Sequence, residues 1–141
     1  LRVLAPGRAE GVLCGGNLEV LSRLAGTAHV PPLDDVVLLL EEVGERPYRL
    51  DRMVTQLRQA GLLAQASAVV IGELPRCDEP SGDLTARTVM EDLFADFPGP
   101  VIIGFPSGHT TGPAMTLPLG VRTRVVADAR PRLIVEESAV E

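Results

Sequence analysis

The stretch VVLLLEEVGERPYRLDRM, residues 36–53, sets the reading of the whole chain. Its first five residues, Val36 to Leu40, form a continuous aliphatic run, the pattern of a strand buried on both faces. The run ends in two carboxylates, Glu41 and Glu42, and a turn follows through Gly44 and Pro47. Behind the turn, Leu50, Met53, Val54 and Leu57 recur at i, i+3, i+4 and i+7, which predicts a helix from about Arg46 to Ala60 with one apolar stripe. Pro47 suits its first turn and Gly61 its end. Strand, acid, turn and helix in that order present a reactive group well, because ligands of open α/β sheets bind beyond the carboxyl ends of the strands. A strand that simply ends in a solvated carboxylate has the same pattern.

Outward from this stretch the elements alternate. Towards the N-terminus, RVLAP and GVLCG within residues 2–15 predict two short strands, close enough to pair as a hairpin across Gly7–Gly11. LEVLSRLAG then predicts a helix with Asn17 as N-cap and Gly26 as its stop. Towards the C-terminus, ASAVVIG (66–72) and PVIIGF (100–105) read as buried strands, with a helix between them at Thr85–Phe94. The second strand runs into PSGHTTGP, a loop rich in turn formers. VRTRVVADA and RLIVEE predict two further strands. This order gives an α/β fold with a mixed sheet and about three helices.

The 141 residues suit one domain spanning 1–141, with a core of aliphatic residues, since there are only three Phe, one Tyr and no Trp. Net charge is −6, and every basic residue is an arginine interleaved with acids. No clustered basic face with stacking aromatics is visible, which argues against nucleic acid as a partner. Cys14 and Cys77 are far apart and form no CxxC, so free buried thiols are expected. No apolar run approaches the ~18 residues of a membrane span. The N-terminus, LRVLAPGRAEG, has neither an initiator Met nor a secretion signal, and reads as the interior of a longer protein.

Two predicted strands end in ionisable groups: 36–41 in Glu41 and Glu42, and 100–105 in the loop carrying His109. If both strands run the same way in one sheet, their carboxyl ends share an edge. A carboxylate that accepts the imidazole Nδ1 proton there leaves Nε2 free to take a proton from a nucleophile. The nearest hydroxyl is Ser107, but FPSGHT lacks the G-x-S-x-G elbow, and Ser107 reads as a turn serine. Base and orienter are therefore present without a convincing nucleophile. Adjacent strand residues face opposite ways, so only one of Glu41 and Glu42 can meet the histidine. Gly15–Gly16–Asn17 reads as a tight turn and cap rather than an anion site, and His29 as a surface residue. No metal-ligand spacing is present.

Taken together, GGNLEVLSRLAGT, LLLEEVGERPYRLDRMVTQLRQAGLL, AVVIGELPRC, PVIIGFPSGH and LPLG resemble, in order and over nearly the whole chain, the C-terminal domain of the LD-carboxypeptidases. These are serine peptidases that include the microcin C self-immunity enzymes. The resemblance implies a swivelling β/β/α domain and a two-domain enzyme, whose flavodoxin-like N-terminal domain carries the nucleophilic serine. It assigns the catalytic Glu to Glu41 and the catalytic His to His109; Glu42 stands where the family commonly has Asp.

By the same resemblance, the substrate is the L,D-peptide bond before the terminal D-alanine of murein tetrapeptides, cleaved in cytoplasmic recycling without metal or organic cofactor. The N-terminal domain of the same protein is the expected partner, a homodimer is expected, and the chain alone is expected to be inactive. A microcin-like peptidyl nucleotide is the alternative substrate. A non-catalytic docking or dimerisation module is the alternative class, in which Glu41 and His109 would be buried or far apart. A phosphorylated His109 would need a phosphate-binding cluster that the sequence lacks.

Overall fold

In the computed structural model, which describes residues 1–140, the aliphatic runs all enter one seven-stranded sheet. Its strands are β1 (Arg2–Ala5), β2 (Gly7–Asn17), β3 (Val36–Glu41), β4 (Ala66–Gly72), β5 (Val101–Phe105), β6 (Arg122–Ala127) and β7 (Arg132–Val135). Helices α1 (Leu18–Leu24), α2 (Pro47–Gln59) and α3 (Ala86–Leu93) follow β2, β3 and β4. The strand order is β1-β5-β4-β3-β2-β6-β7. The four strands β5, β4, β3 and β2 are parallel, while β1, β6 and β7 add antiparallel flanks. The fold is the mixed α/β arrangement with three helices that the sequence predicts.

The unbroken aliphatic run of β3 follows from burial on both faces. Val36, Leu38 and Leu40 join Leu50, Met53, Val54 and Leu57 of α2 and Val89, Met90 and Leu93 of α3 in the larger cluster. Val37 and Leu39 face the other way, into a smaller cluster with Leu13, Ala68, Val70, Ile102 and Phe105. Val3 of one edge strand and Leu133 of the other both pack against this smaller cluster. In a flat sheet those strands would stand about 29 Å apart at the usual strand spacing, so the sheet curls around the cluster. Leu117, in the segment after β5, also packs there.

The expected hairpin of the first two strands does not form. β1 pairs with β5, whereas β2 pairs with β3 and β6. Gly7–Gly11 is not a turn but the start of β2, in register with Ala127–Thr123 of β6. A Cβ at Gly11 would lie 2.5 Å from the Asp35 carbonyl oxygen, so this glycine marks a close backbone approach within the sheet. Of the two thiols expected to be buried, Cys77 is buried, but Cys14 is only half-buried.

Several scattered arginines have acidic partners on the β2–β6–β7 side: Arg124 lies between Glu10 and Glu136, and Arg8 and Arg132 share Asp128. Among the described residues no helix is long and apolar enough to cross a membrane.

Leu38, fully buried between sheet and helices, is where packing loss should be felt most. Leu38→Ala is expected to cost about 2–5 kcal/mol in urea denaturation. Val20→Ala, at a position 56% exposed, should change stability by less than about 0.5 kcal/mol.

Candidate functional site

The pleat of β3, carried one residue past its end, sends its last residue Glu41 and the following Glu42 to different faces. Glu42 falls on the helix side, where it is buried against the start of α1. Its Oε2 accepts from the Glu19 amide at 3.0 Å, and its Oε1 from Asn17 Nδ2 at 3.1 Å and the Val43 amide at 2.9 Å. Asn17 is the expected N-cap, its Oδ1 accepting from the Val20 amide at 3.1 Å. Gly15 and Gly16 lie within β2, paired with Leu39 and Leu40, rather than in a loop. The anion at this helix start is thus the protein's own Glu42, as the dipole and free amides of a helix N-terminus favour.

Glu41 shares the face of Val37 and Leu39. His109 reaches it although β4 lies between β3 and β5. Three local features permit the crossing. At the end of β5 the register slips: Ile103 pairs with Ile71, but Phe105 pairs with Gly72, which turns Phe105 to the face of Ile102. At the end of β4, Gly72 has no side chain; a Cβ there would lie 3.2 Å from Glu41 Cβ and 3.5 Å from the Ser107 carbonyl oxygen. Finally Gly108, at φ +75°, lies so close that a Cβ would sit 2.6 Å from both Cγ and Oε2 of Glu41.

His109 then closes on one oxygen. Its backbone amide donates to Glu41 Oε2 at 2.9 Å, and its ring Nδ1 lies 2.6 Å from the same atom. An ionised carboxylate only accepts, so Nδ1 carries the proton and Nε2 of the neutral ring keeps its lone pair. The Glu41 side chain is 9% exposed and that of His109 54%, so the acid is sheltered while the imidazole stands at the surface. Burial pushes the Glu41 carboxyl up, but the His109 amide, the His109 ring and the Asn17 side chain together hold it below its usual range.

Two residues further on, Thr111 attaches the same loop to β4. Its amide and its hydroxyl both donate to Glu73 Oε2 at 2.7 Å, which holds the Glu73 carboxyl low. Sequence reasoning missed Gly72, Glu73, Gly108 and Thr111 as parts of the site. The available signal was the pair Gly72–Glu73, which repeats at β4 the placement of an acid at a strand's carboxyl end.

Of the other candidates, Ser107 is buried in the turn before His109, its amide donating to the Phe105 carbonyl at 2.9 Å. His29 is exposed on its loop. Among the described residues no hydroxyl or thiol is hydrogen-bonded to the His109 ring, and no group of three His, Cys, Asp or Glu is placed to hold a metal ion. A cavity of about 300 Å³ near the end of α2, lined by Arg58, Leu63, Phe94 and Phe97, touches neither member of the pair.

The family model described as LD-carboxypeptidase C-terminal domain matches residues 10–125. A Synechocystis sp. relative that carries a carboxypeptidase name is 38% identical over 125 residues, 87% of this chain and 41% of its own length. The murein tetrapeptide carboxypeptidase of Pseudomonas aeruginosa is 34% identical over 105 residues, 72% of this chain and 34% of its own. Among solved structures, the muramoyltetrapeptide carboxypeptidase of Oxalobacter formigenes superposes with a TM-score of 0.83 at 31% identity, covering 94% of this chain and 46% of that one. The chain thus spans less than half the length of these relatives.

The geometry sets two expectations for stability. Because the folded-state pKa of Glu41 is depressed, the stability it contributes is complete above its ordinary value of 4.5 and is lost as pH falls through the lower folded value. The difference in unfolding free energy between wild type and Glu41→Gln should therefore shrink on acidification from about pH 7 to about pH 3, followed by urea denaturation. Gly108→Ala should cost about 1–3 kcal/mol through strain and the clash with Glu41. Gly112→Ala, where a Cβ meets nothing within 4 Å, should cost far less.

Proposed function

Because the chain belongs to the family of LD-carboxypeptidase C-terminal domains, we propose that Glu41 and His109 are two members of a Ser-Glu-His triad. The serine comes from a further domain of the whole protein. The observation that carries this reading is the 2.6 Å contact of His109 Nδ1 with a sheltered Glu41 oxygen, on a ring whose other edge is open to solvent. Such a pair, in contact and with its imidazole exposed while its acid is sheltered, suits a proton relay better than a wholly buried structural contact.

The chemistry follows from that geometry. The serine hydroxyl attacks the scissile carbonyl while His109 Nε2 takes its proton. Glu41 keeps the Nδ1–H tautomer in place and stabilises the imidazolium that forms. His109 then passes the proton to the leaving amine, D-alanine; in the second half-reaction it takes a proton from the water that attacks the acyl-enzyme and returns it to the serine oxygen as the acyl bond breaks. Triad chemistry of this kind needs neither metal nor organic cofactor.

The proposed substrate is the L,D-peptide bond before the terminal D-alanine of a murein tetrapeptide, met in cytoplasmic recycling of wall fragments. The names of the Pseudomonas and Oxalobacter relatives support this class. Glu42 serves α1 and takes no part in the relay.

In the full-length protein, His109→Ala and Glu41→Ala should each lower kcat for D-alanine release by about 10²–10⁴-fold. Glu42→Ala should lower it by less than about tenfold, while costing about 1–3 kcal/mol of stability through the unpaired Glu19 amide and Asn17 side chain. Equal loss at both acids would overturn the division of roles. Residues 1–141 alone should be inert; hydrolysis that survives Ser107→Ala would reveal a nucleophile within this chain. Turnover of a peptidyl nucleotide in place of the tetrapeptide would move the enzyme to the other substrate class.

A further inference from the structure

The loop that carries His109 is long and irregular, running from Pro106 to Val121 between β5 and β6. Near the histidine it is tied to the sheet by two carboxylates at the carboxyl ends of adjacent parallel strands. The His109 amide and ring attach to Glu41 at the end of β3. The Thr111 amide and hydroxyl attach to Glu73, directly after β4. His109 is thus bracketed, with Gly108 pressed against Glu41 on one side and Thr111 held by Glu73 on the other.

We propose that Glu73 is a positioning residue for the triad: by binding Thr111 at two points it fixes the loop on the far side of His109, so that Nε2 is held where the serine must meet it. This rests on the triad reading of His109. Glu41 alone cannot supply that restraint. Both of its contacts to His109 converge on a single oxygen, about which the residue can pivot, whereas a second anchor two residues away removes the pivot. Misplacing a catalytic group by about 1 Å is worth on the order of a hundredfold in rate, so a slack loop should be costly. Because Glu73 acts through the loop, its loss should appear in kcat with little change in KM.

The test uses full-length enzyme and a murein tetrapeptide, with thermal unfolding of each variant as a folding control. Glu73→Ala should lower kcat by about tenfold to a hundredfold with KM within about twofold of wild type. Glu73→Gln, whose amide oxygen still accepts from Thr111, should restore kcat to within about threefold. Thr111→Val keeps the amide bond and loses the hydroxyl, so its kcat should fall between these; it also carries the test if Glu73→Ala does not fold. Wild-type kcat in Glu73→Ala, or in Thr111→Val where the alanine variant is unfolded, would overturn the proposal. A raised KM that Glu73→Gln does not rescue would do the same, marking Glu73 as a substrate contact. His109→Ala run in parallel separates the two readings. If it is inactive while Glu73→Ala is normal, only the clamp fails; if it is active, the triad reading fails and the clamp with it.

Discussion

A carboxylate taken out of water without a cation beside it must be satisfied by donors, and this constraint shapes the site around Glu41. The effective cost of burying an ion is several kcal/mol, while one hydrogen bond to a charged group returns about 1.5–3 kcal/mol. One donor is therefore too few. Glu41 has two, the amide and the ring of His109. The histidine is consequently part of what makes the buried acid tolerable, and the acid is what fixes the histidine's tautomer. Neither group would hold this state alone.

The sheet supplies the rest by elementary geometry. Alternation along β3 sends Glu41 and Glu42 to opposite faces, so two identical side chains in adjacent positions meet opposite needs. On the helix face a negative charge is drawn to the free amides at the start of α1. On the other face the acid meets a histidine delivered from two strands away. That delivery depends on what is missing at Gly72 and Gly108, where any side chain would occupy the space in which the loop approaches Glu41.

Much of this was legible from sequence, for identifiable reasons. Long aliphatic runs and a clean i, i+3, i+4, i+7 stripe gave the central strands and α2, because burial on two faces or one leaves a strong periodic mark. The pairing of β1 and β2 was not legible. Gly7 and Gly11 carry the signature of a turn, yet Gly11 is there for a close approach to the Asp35 carbonyl, and a glycine does not announce which of these it serves. The facing of Glu41 against Glu42 likewise depends on which side of β3 the helices cover, a tertiary fact absent from the local pattern. Thr111 and Glu73 lie 38 positions apart, and no local pattern links such a pair.

The His109 loop has a further consequence for how such a domain can diversify. Its first part is fastened to strand ends, and Leu117 anchors its later part on the second cluster. Between these anchors, residues 112–116 are exposed. Thr111 and Leu117 pin the chain on both sides of this stretch, and the Met115 amide ties it back to the Pro106 carbonyl at 2.6 Å, so side chains can change there as long as that backbone bond is kept. The loop can therefore be remodelled beside Glu41 and His109 while their contact is kept, which makes this short arc a place where related domains can drift in length and chemistry without rebuilding the strand ends.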